Sequence, residues 1–325
     1  MKILITGAAG SIGAATMSKL KKEHDLLGID NFSQYYSSTY KKERVKYYDI
    51  SSLVKIIDIC NFVDIKNIFK AFNPEIVIHL AARPGVRANF TNLDEYINDN
   101  IVGFNNLAKL STEYNVSKFI YASSSSIYTL NNKTPFSEND LLYFPKSFYA
   151  ISKQSNEMMA RYFASEHTRF LGMRFFTVYG PWGRPDMAVL QFLGKSIKGI
   201  KPRFTSELTI QRDFTFIDDV TRIIGESIGM NFPNSCEVIN VGGSSPRSMA
   251  DLINILENLG LKLNFDTYPA SNEDIKSTHA SITKIKNMGF TLPTTTLEEG
   301  VRKTYDWLVG QNSPVALNAI LELNN

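Results

Sequence analysis

The chain has 325 residues, of which 43% are hydrophobic and 21% are charged, and this composition excludes a disordered or collagen-like chain. Thirty-five basic and 32 acidic residues leave a formal charge of +3, an excess too small to indicate binding to nucleic acid or to an anionic membrane. The two cysteines form no CxxC pair and the four histidines show no HExxH spacing, so no metal site is expected. No run approaches the roughly 18 apolar residues of a membrane span, and we expect a cytoplasmic protein.

Short apolar runs alternate with amphipathic stretches through the first half of the chain. The runs are typical of strands and occupy residues 2–6, 25–29, 54–59, 76–80, 118–122 and 170–176. The amphipathic stretches predict helices over residues 11–22, 64–72, 92–115 and 148–166. Strands followed by helices at this spacing predict an α/β fold with a doubly wound (Rossmann) parallel sheet.

The pattern changes after about residue 177, where glycine and proline cluster and strands and helices no longer alternate in step. Helices are expected near residues 187–199, 218–229, 248–259 and 297–309. We therefore predict a Rossmann domain over 1–177 and a smaller C-terminal α/β substrate-binding domain, mainly over 178–310, whose segments can interleave with the first domain. Residues 311–325 are predicted to form a surface tail.

A glycine motif, Gly7-x-x-Gly10-x-x-Gly13, joins the first predicted strand to the first predicted helix. Gly7 permits a sharp turn, Gly10 lets the backbone approach a pyrophosphate, and Gly13 lets the helix and the strand pack closely. The free N–H groups that open the helix, at Ser11 and Ile12, then face the phosphates of a dinucleotide. The alternative is a glycine-rich turn of the kind that precedes many helices, but its position after the first strand favours the dinucleotide.

Asp30 ends the second predicted strand, where a carboxylate can accept both hydroxyls of the adenosine ribose. The same charge would repel a 2′-phosphate, so NAD is favoured over NADP. The alternative is a turn-forming aspartate before Asn31, which is compatible with ribose binding. Asp58 and Ile59, at the end of the third predicted strand, are expected beside the adenine on weaker grounds.

A Tyr-x-x-x-Lys pattern, Tyr149 and Lys153, falls on a predicted helix, so both side chains share one face. A lysine ammonium near a phenol lowers the pKa of the phenol and makes it a usable general base. A second copy of the pattern, Tyr114 and Lys118, straddles a helix end and the next strand, so its two side chains are not expected to share a face.

A run of serines, Ser123 to Ser126, follows the fifth predicted strand. Because ligands bind at the carboxyl ends of parallel strands, a hydroxyl there can hydrogen-bond the same substrate oxygen as Tyr149. The alternative is a polar turn with no ligand.

These motifs together resemble the extended short-chain dehydrogenase/reductase family. The resemblance rests on the glycine motif, Asp30-Asn31, Ser124 and Tyr149-x-x-x-Lys153. More narrowly, the segments DNFSQYY, AARPGVR, YASSSSIY, RFFTVYGPWGRPDMA and RDFTFIDD are similar to those of nucleotide-sugar 4-epimerases, and GRPDM is most similar to those acting on UDP-glucuronate. The similarity runs from residue 1 to about residue 219 and thins towards residue 301.

The resemblance implies an NAD-dependent enzyme that inverts C4 of a UDP-sugar, with UDP-glucuronate and UDP-galacturonate as the favoured pair, through a transient 4-keto sugar. Tyr149 would take the proton of the 4-hydroxyl, Ser124 would hold the same oxygen, and Lys153 would hold the nicotinamide ribose and tune Tyr149. The implied cofactor-binding residues are Gly7, Gly10, Ser11, Ile12, Gly13, Asp30, Asn31, Asp58, Ile59, Leu80, Ala81, Ala82, Asn100, Tyr149 and Lys153. The family also implies a homodimer through the helices near 92–115 and 148–166, whose apolar positions could equally be buried within one chain.

An epimerase for UDP-glucuronate must hold a carboxylate close to the nicotinamide, and Arg184 in GRPDM is the candidate because a planar guanidinium suits a carboxylate. The alternative is an exposed loop arginine that pairs with Asp186. Three hydroxyls are expected to complete the carboxylate site, those of Ser125, Ser126 and Thr177. Two further arginines, Arg87 and Arg212, are assigned to the diphosphate.

Two other functions stay open. A 4-epimerase for neutral UDP-hexoses, such as UDP-glucose or UDP-N-acetylglucosamine, shares every redox residue. A non-catalytic regulator that senses NAD is the alternative from another class, and the intact redox residues disfavour it. Sugar 4,6-dehydratases and UDP-glucuronate decarboxylases commonly carry acidic residues in the serine loop, where this chain has Ser125 and Ser126.

Overall fold

The fold is built on a parallel β-sheet, seen in a computed structural model that describes residues 1–85, 93–128, 133–142, 144–262, 264–269, 276–310 and 313–322. The strands of this sheet are β1 (Lys2–Thr6), β2 (Asp25–Asp30), β3 (Val54–Ile56), β4 (Ile76–His79), β5 (Lys118–Ser124), β6 (Arg169–Phe175) and β10 (Cys236–Val241). Within the described ranges, these seven strands pair in parallel in the order β3-β2-β1-β4-β5-β6-β10. The predicted doubly wound Rossmann sheet is confirmed.

Side chains along the central strands alternate between two buried faces. In β1, Ile3 and Ile5 pack on one face and Leu4 packs on the other, and all three are fully buried. Because both faces are covered, these strands appear in the sequence as continuous apolar runs rather than as alternating ones. That continuity is what allowed the sequence to predict them.

The α-helices of the described residues are α1 (Ser11–Leu20), α2 (Ser38–Tyr47), α3 (Phe62–Phe72), α4 (Leu93–Tyr96), α5 (Gly103–Glu113), α6 (Phe148–Phe163), α7 (Ala188–Ile197), α8 (Ile217–Gly229), α9 (Met249–Asn258), α10 (Thr283–Asn287), α11 (Leu297–Val309) and α12 (Ser313–Glu322). Some of them cover the two faces of this sheet. Helices α1 and α8 pack with Ile3 and Ile5, whereas α3, α5 and α6 pack with Leu4. The helix predicted over 92–115 is interrupted by a π-helical segment, Ile97–Val102, between α4 and α5. Within the described ranges, none of the helices combines the length and the apolar character that a membrane span requires.

The order of the strands reverses direction between β1 and β4. From β1 the chain moves outward to β2 and β3, and it then returns to β4 on the other side of β1. The loops after β1 and β4 therefore diverge at the carboxyl end of the sheet and leave a crevice, which is where ligands bind in sheets of this type. Gly7 follows β1 and Leu80 follows β4, so both lie at this crevice.

The rest of the chain after residue 177 forms a smaller α/β layer. It contains a sheet of β7 (Thr177–Tyr179), β9 (Gln211–Phe216) and β11 (Pro246–Ser248), and a pair formed by β8 (Arg203–Thr205) and β12 (Asp266–Tyr268). Its core joins Trp182, Trp307 and Phe214 with residues of α7, α9 and α11. Helix α8 and strand β10 return to the main sheet, so the two layers exchange segments.

Helices α12, α2 and the short α10 were not predicted from the sequence. Residues 311–325 were predicted as a surface tail, but α12 within them is packed against α2, α7 and α11, and Leu317 and Ile320 are buried. Their spacing of three residues places both on one apolar face of a short helix. Helix α2 was not predicted, because its sequence STYKKERVKY carries little apolar signal.

Candidate active site

A cleft of about 500 Å³ opens at the carboxyl ends of the main sheet, between this sheet and the smaller layer. It brings together most of the residues that the sequence singled out. Those that line it are Gly7, Gly10, Ser11, Ile12, Gly13, Asp30, Asn31, Ile59, Leu80, Ala81, Ala82, Ser124, Ser125, Ser126, Tyr149, Lys153, Thr177, Arg184 and Arg212. Arg87 lies outside the described residues.

The glycine loop is shaped so that the protein backbone can approach a ligand closely. Gly7 has a φ of +69°, and a Cβ at this residue would lie 2.7 Å from the backbone nitrogen of Ala81. A Cβ at Gly13 would lie 2.1 Å from the carbonyl oxygen of Gly7. Gly10 is the N-cap of α1 and supplies no side-chain cap, so the first N–H groups of the helix stay available to an anion. The loop therefore fits a dinucleotide diphosphate.

Asp30 is fixed at the end of β2 by two backbone groups. Its Oδ2 accepts a hydrogen bond from the N–H of Ala9 at 3.0 Å, and its Oδ1 accepts one from the N–H of Phe32 at 2.7 Å. The contact with Phe32 is the local turn that the alternative interpretation describes. Each carboxylate oxygen retains a lone pair, so the same side chain can also accept ribose hydroxyls.

Two predicted cofactor residues, Asp58 and Asn100, are not among the residues that line the cleft. Asp58 accepts a hydrogen bond from Nδ2 of Asn31 at 3.1 Å and therefore supports a residue that does line the cleft. Asn100 is fully buried and bonds the backbone of Arg83 and the hydroxyl of Ser152. Sequence position alone does not separate a polar residue that lines the cleft from one that supports a lining residue.

The side chains of Tyr149 and Ser124 both line the cleft, and the Ser124 hydroxyl acts to lower the pKa of Tyr149. Tyr149 lies in the first turn of α6, whose N-cap Ser147 accepts a hydrogen bond from the N–H of Ala150 at 3.2 Å. Ser124 is the last residue of β5. Ser126 donates to Oγ of Ser124 at 3.0 Å, so the serine loop is joined to the same hydroxyl.

Charge near the tyrosine comes from a different residue than the sequence suggested. Burial raises the pKa of Tyr149, and the Arg184 charge and the Ser124 hydroxyl act to lower it. Lys153 instead donates from Nζ to the carbonyl oxygen of Ala122 at 2.9 Å. Burial lowers the pKa of Lys153 to about 8. The lysine shares the helix face but is turned towards β5.

Arg184 lies at the cleft and also forms the ion pair that the alternative interpretation described. Its Nε donates to Oδ1 of Asp186 at 3.1 Å, and its Nη2 donates to Oδ2 of the same carboxylate. The guanidinium carbon lies 5.7 Å from the centroid of the Tyr35 ring. The pair uses the Nε and Nη2 edge of the guanidinium and does not use Nη1, whose two N–H groups can donate to a second carboxylate.

Several lining residues were missed by the sequence analysis. They include Tyr35, Tyr36, Lys41, Asp99, Phe176, Met187 and Thr278. The first three belong to the segment DNFSQYY and to α2, which follows it. That segment was recognised as a motif, and its two adjacent tyrosines before a charged helix were the available signal.

The side chains of the second Tyr-x-x-x-Lys pattern, Tyr114 and Lys118, do not share a helix face, as expected. Tyr114 follows the end of α5, whereas Lys118 begins β5 and donates to the carbonyl oxygen of Ile228.

Comparison with known proteins agrees with this geometry. The sequence profile of the NAD dependent epimerase/dehydratase family matches residues 3–242. A UDP-glucuronate 4-epimerase of Thermodesulfobacterium geofontis is 39% identical, and the alignment covers 94% of this chain and 95% of that protein. The crystal structure of a Bacillus cereus UDP-glucuronic acid 4-epimerase, in complex with UDP-glucuronic acid and NAD, has a TM-score of 0.87 at 31% identity and covers 95% of this chain and 99% of its own. A Thermotoga maritima UDP-glucose 4-epimerase has a TM-score of 0.85 at 28% identity, covering 95% and 98%.

Proposed function

Since the chain belongs to the NAD dependent epimerase/dehydratase family, we propose that it inverts C4 of a UDP-sugar and interconverts UDP-glucuronate and UDP-galacturonate. The observation that carries the proposal is one cleft that holds the glycine loop, the Tyr149 and Ser124 pair and Arg184. Proteins similar to this chain include UDP-glucuronate 4-epimerases. The chain is therefore an NAD-dependent isomerase.

The glycine loop and Asp30 would hold NAD, which when bound supplies a reversible hydride acceptor for C4 of the sugar. Tyr149, as the phenolate, takes the proton from the 4-hydroxyl, and Ser124 hydrogen-bonds the same oxygen. Lys153 would stabilise the phenolate by its charge and would bind the nicotinamide ribose once it leaves the carbonyl of Ala122, to which it donates. The 4-keto sugar turns about its link to the diphosphate, and reduction on its other face completes the inversion without net redox change.

Arg184 supplies the preference for an acidic sugar. Arg184 and Tyr149 line the same cleft, and the Arg184 charge acts to lower the pKa of Tyr149, so we expect a sugar whose C4 is at Tyr149 to bring its C6 group towards the guanidinium. Ser125, Ser126 and Thr177 line the same cleft and offer hydroxyl donors for a carboxylate. The oxidised sugar is a β-keto acid that can lose CO₂, so this site must also hold the carboxylate away from the geometry that permits the loss.

The two further arginines are assigned to the diphosphate. Arg212 lines the cleft from β9 and supports this assignment by its position. Arg87 stays a proposal from the sequence alone.

The function is tested by incubating the purified protein with UDP-glucuronate, UDP-glucose or UDP-N-acetylglucosamine and identifying the sugar products by NMR. We expect UDP-galacturonate from UDP-glucuronate and little conversion of the neutral sugars. Epimerisation of UDP-glucose, with UDP-glucuronate unchanged, would assign the chain to the neutral-hexose class. Absence of turnover with all three sugars, in protein that binds NAD, would favour the regulator.

A homodimer is the proposed assembly. Helix α6 exposes Ile151, Met158 and Tyr162, of which Met158 is 68% and Tyr162 is 84% exposed. Their spacing of seven and four residues places them on one face. The adjoining π-helical segment exposes Ile97 and Val102. A face that presents this much apolar surface is typical of an interface, and two copies of one apolar face are self-complementary.

The dimer is tested by light scattering on protein eluting from a sizing column. We expect a dimer for the unmodified chain and a monomer for Met158→Glu. Ile56→Glu serves as the control, because Ile56 is 74% exposed on the edge strand β3, away from this face. A dimer that persists in Met158→Glu would reject the α6 face as the interface.

A further inference from the structure

Arg44 is a buried cation that the proposed chemistry does not use. It lies on α2, its side chain is fully buried, and no carboxylate within the described ranges pairs with it. An arginine keeps its charge in protein interiors, and an unpaired buried charge is strongly unfavourable unless hydrogen bonds or a nearby anion compensate it. The position of this guanidinium therefore needs an explanation.

The hydrogen bonds of Arg44 join the two ligand-binding loops. Its Nη1 donates to the carbonyl oxygen of Ala9 at 2.6 Å, and its Nη2 donates to the carbonyl oxygen of Gly183 at 3.2 Å. Ala9 lies within the glycine loop, between Gly7 and Gly10. Gly183 immediately precedes Arg184, which was assigned above to the sugar carboxylate. One rigid planar group thus touches the cofactor loop and the sugar loop at once.

The surroundings of the guanidinium hold it in this bridging position. Its central carbon lies 4.7 Å from the ring centroid of Tyr40 and 5.6 Å from that of Tyr36. The hydroxyl of Tyr36 accepts a further hydrogen bond from Nη1 at 2.9 Å. The hydroxyl of Tyr40 donates to the same Gly183 carbonyl at 3.0 Å. Movement of one carbonyl is therefore transmitted to the other through a group that cannot easily bend.

We propose that Arg44 is a positioning residue that couples the two sites, so that NAD on the glycine loop strengthens the binding of UDP-glucuronate, and UDP-glucuronate strengthens the binding of NAD. The inference rests on the proposed function for the identity of the two ligands. A diphosphate held by the N–H groups of the glycine loop fixes that loop, and the loop's Ala9 carbonyl holds Arg44. Arg44 then holds the Gly183 carbonyl, and with it the backbone that carries Arg184. Binding linkage requires the effect to be equal in both directions.

The diphosphate adds an electrostatic reason for the same coupling. Its negative charge would supply the anion that the buried guanidinium lacks, because the loop that binds it is in direct contact with Arg44. Ordering of the guanidinium then favours the arrangement in which both carbonyls are bonded.

The test measures the Kd of NAD for nucleotide-free protein without and with saturating UDP-glucuronate, in a Tyr149→Phe background that prevents turnover. We expect UDP-glucuronate to lower the Kd of NAD by about fivefold or more. Addition of Arg44→Lys should reduce the ratio of the Kd of NAD without UDP-glucuronate to the Kd with it to below about twofold. The reason is that a lysine has one charged nitrogen and cannot reach both carbonyls in fixed geometry. Circular dichroism and the Tm of each variant check that it is folded.

The matched control is Tyr40→Phe in the same background. It removes a hydroxyl that contacts Gly183 but not the glycine loop. It should therefore weaken the binding of UDP-glucuronate, while the ratio of the Kd of NAD without UDP-glucuronate to the Kd with it is preserved. General loosening of the structure would weaken the binding of each ligand without changing the ratio of the two Kd values of NAD. If Arg44→Lys fails to fold, Tyr36→Phe removes one of the hydrogen bonds that hold the guanidinium, and we expect a partial loss of the ratio.

Absence of coupling in Tyr149→Phe itself, or coupling of full size in the folded Arg44 variant, would overturn the proposal. So would an unchanged ratio in Tyr36→Phe where that variant stands in for Arg44→Lys. Failure of the proposed function gives a different result, because Tyr149→Phe would then bind UDP-glucose instead of UDP-glucuronate. The Kd of NAD would then be measured without and with UDP-glucose, and the ratio of the two values would decide whether Arg44 couples the two sites.

Discussion

The ammonium of Lys153 lies 5.8 Å from the ring centroid of Tyr149, on the same face of α6. Burial is the cause that lowers the pKa of Lys153 to about 8, so below this pH the buried site holds a positive charge. That charge is available to stabilise a phenolate, but the ammonium donates to the Ala122 carbonyl. We expect a bound ligand to draw the ammonium away from this carbonyl and towards the tyrosine.

The lowered pKa of Lys153 predicts a pH-dependent stability. An unfolded lysine titrates near 10.5, so between pH 8 and 10.5 the unfolded chain binds more protons at this residue than the folded chain. The free energy of unfolding therefore rises with pH in this window, relative to that of Lys153→Met, which has no group to titrate. Urea unfolding of both proteins at pH 8, 9 and 10 measures the difference. A constant difference would show that Lys153 has an ordinary pKa.

Loss of the tyrosine hydroxyl should remove the chemistry and leave binding intact. Tyr149→Phe keeps the buried ring but removes the group that takes the proton, so we expect kcat to fall by about 10²–10⁴-fold. The Kd of NAD should change little. Tyr114→Phe is the matched control and should retain turnover, because Tyr114 does not line the cleft. Turnover of Tyr149→Phe at the rate of the unmodified enzyme would refute the assignment.

Replacement of Asp30 should alter the choice of dinucleotide. The carboxylate is fixed by Ala9 and Phe32 in a position to bind a ribose and to repel a 2′-phosphate. We expect Asp30→Ala to weaken the binding of NAD by about tenfold or more and to remove most of the preference for NAD over NADP. Asp25→Ala, at the opposite and exposed end of β2, is the control. Tighter binding of NADP than of NAD by the unmodified protein would contradict the assignment.

The parts of this fold that the sequence predicted are those that local physics specifies. Strands buried on both faces produce continuous apolar runs, and Gly7 and Gly13 occupy positions at which a Cβ would collide with backbone. Both signals are readable without knowledge of distant contacts. The same holds for Tyr149 and Lys153, whose helical spacing placed them on one face.

Helix α2 shows why other parts were missed. Its buried residues include Lys41 and Arg44, which a sequence pattern assigns to solvent. Their burial depends on partners far along the chain, such as Gly183 for Arg44. Whether a polar residue is buried or lines a cleft is decided by the same distant packing, and for that reason the sequence did not predict that Asn100 is fully buried and bonded to Ser152.

The central claim, that this cleft selects an acidic sugar through Arg184, is tested most directly by the ratio of kcat/KM for UDP-glucuronate to kcat/KM for UDP-glucose. The account predicts a ratio above one for the unmodified enzyme and a fall of about tenfold or more in Arg184→Ala, because a charged hydrogen bond is lost with one sugar only. Arg302→Ala, an exposed arginine on α11, should leave the ratio unchanged. Equal losses on both sugars in Arg184→Ala, or an unmodified enzyme that prefers UDP-glucose, would contradict it.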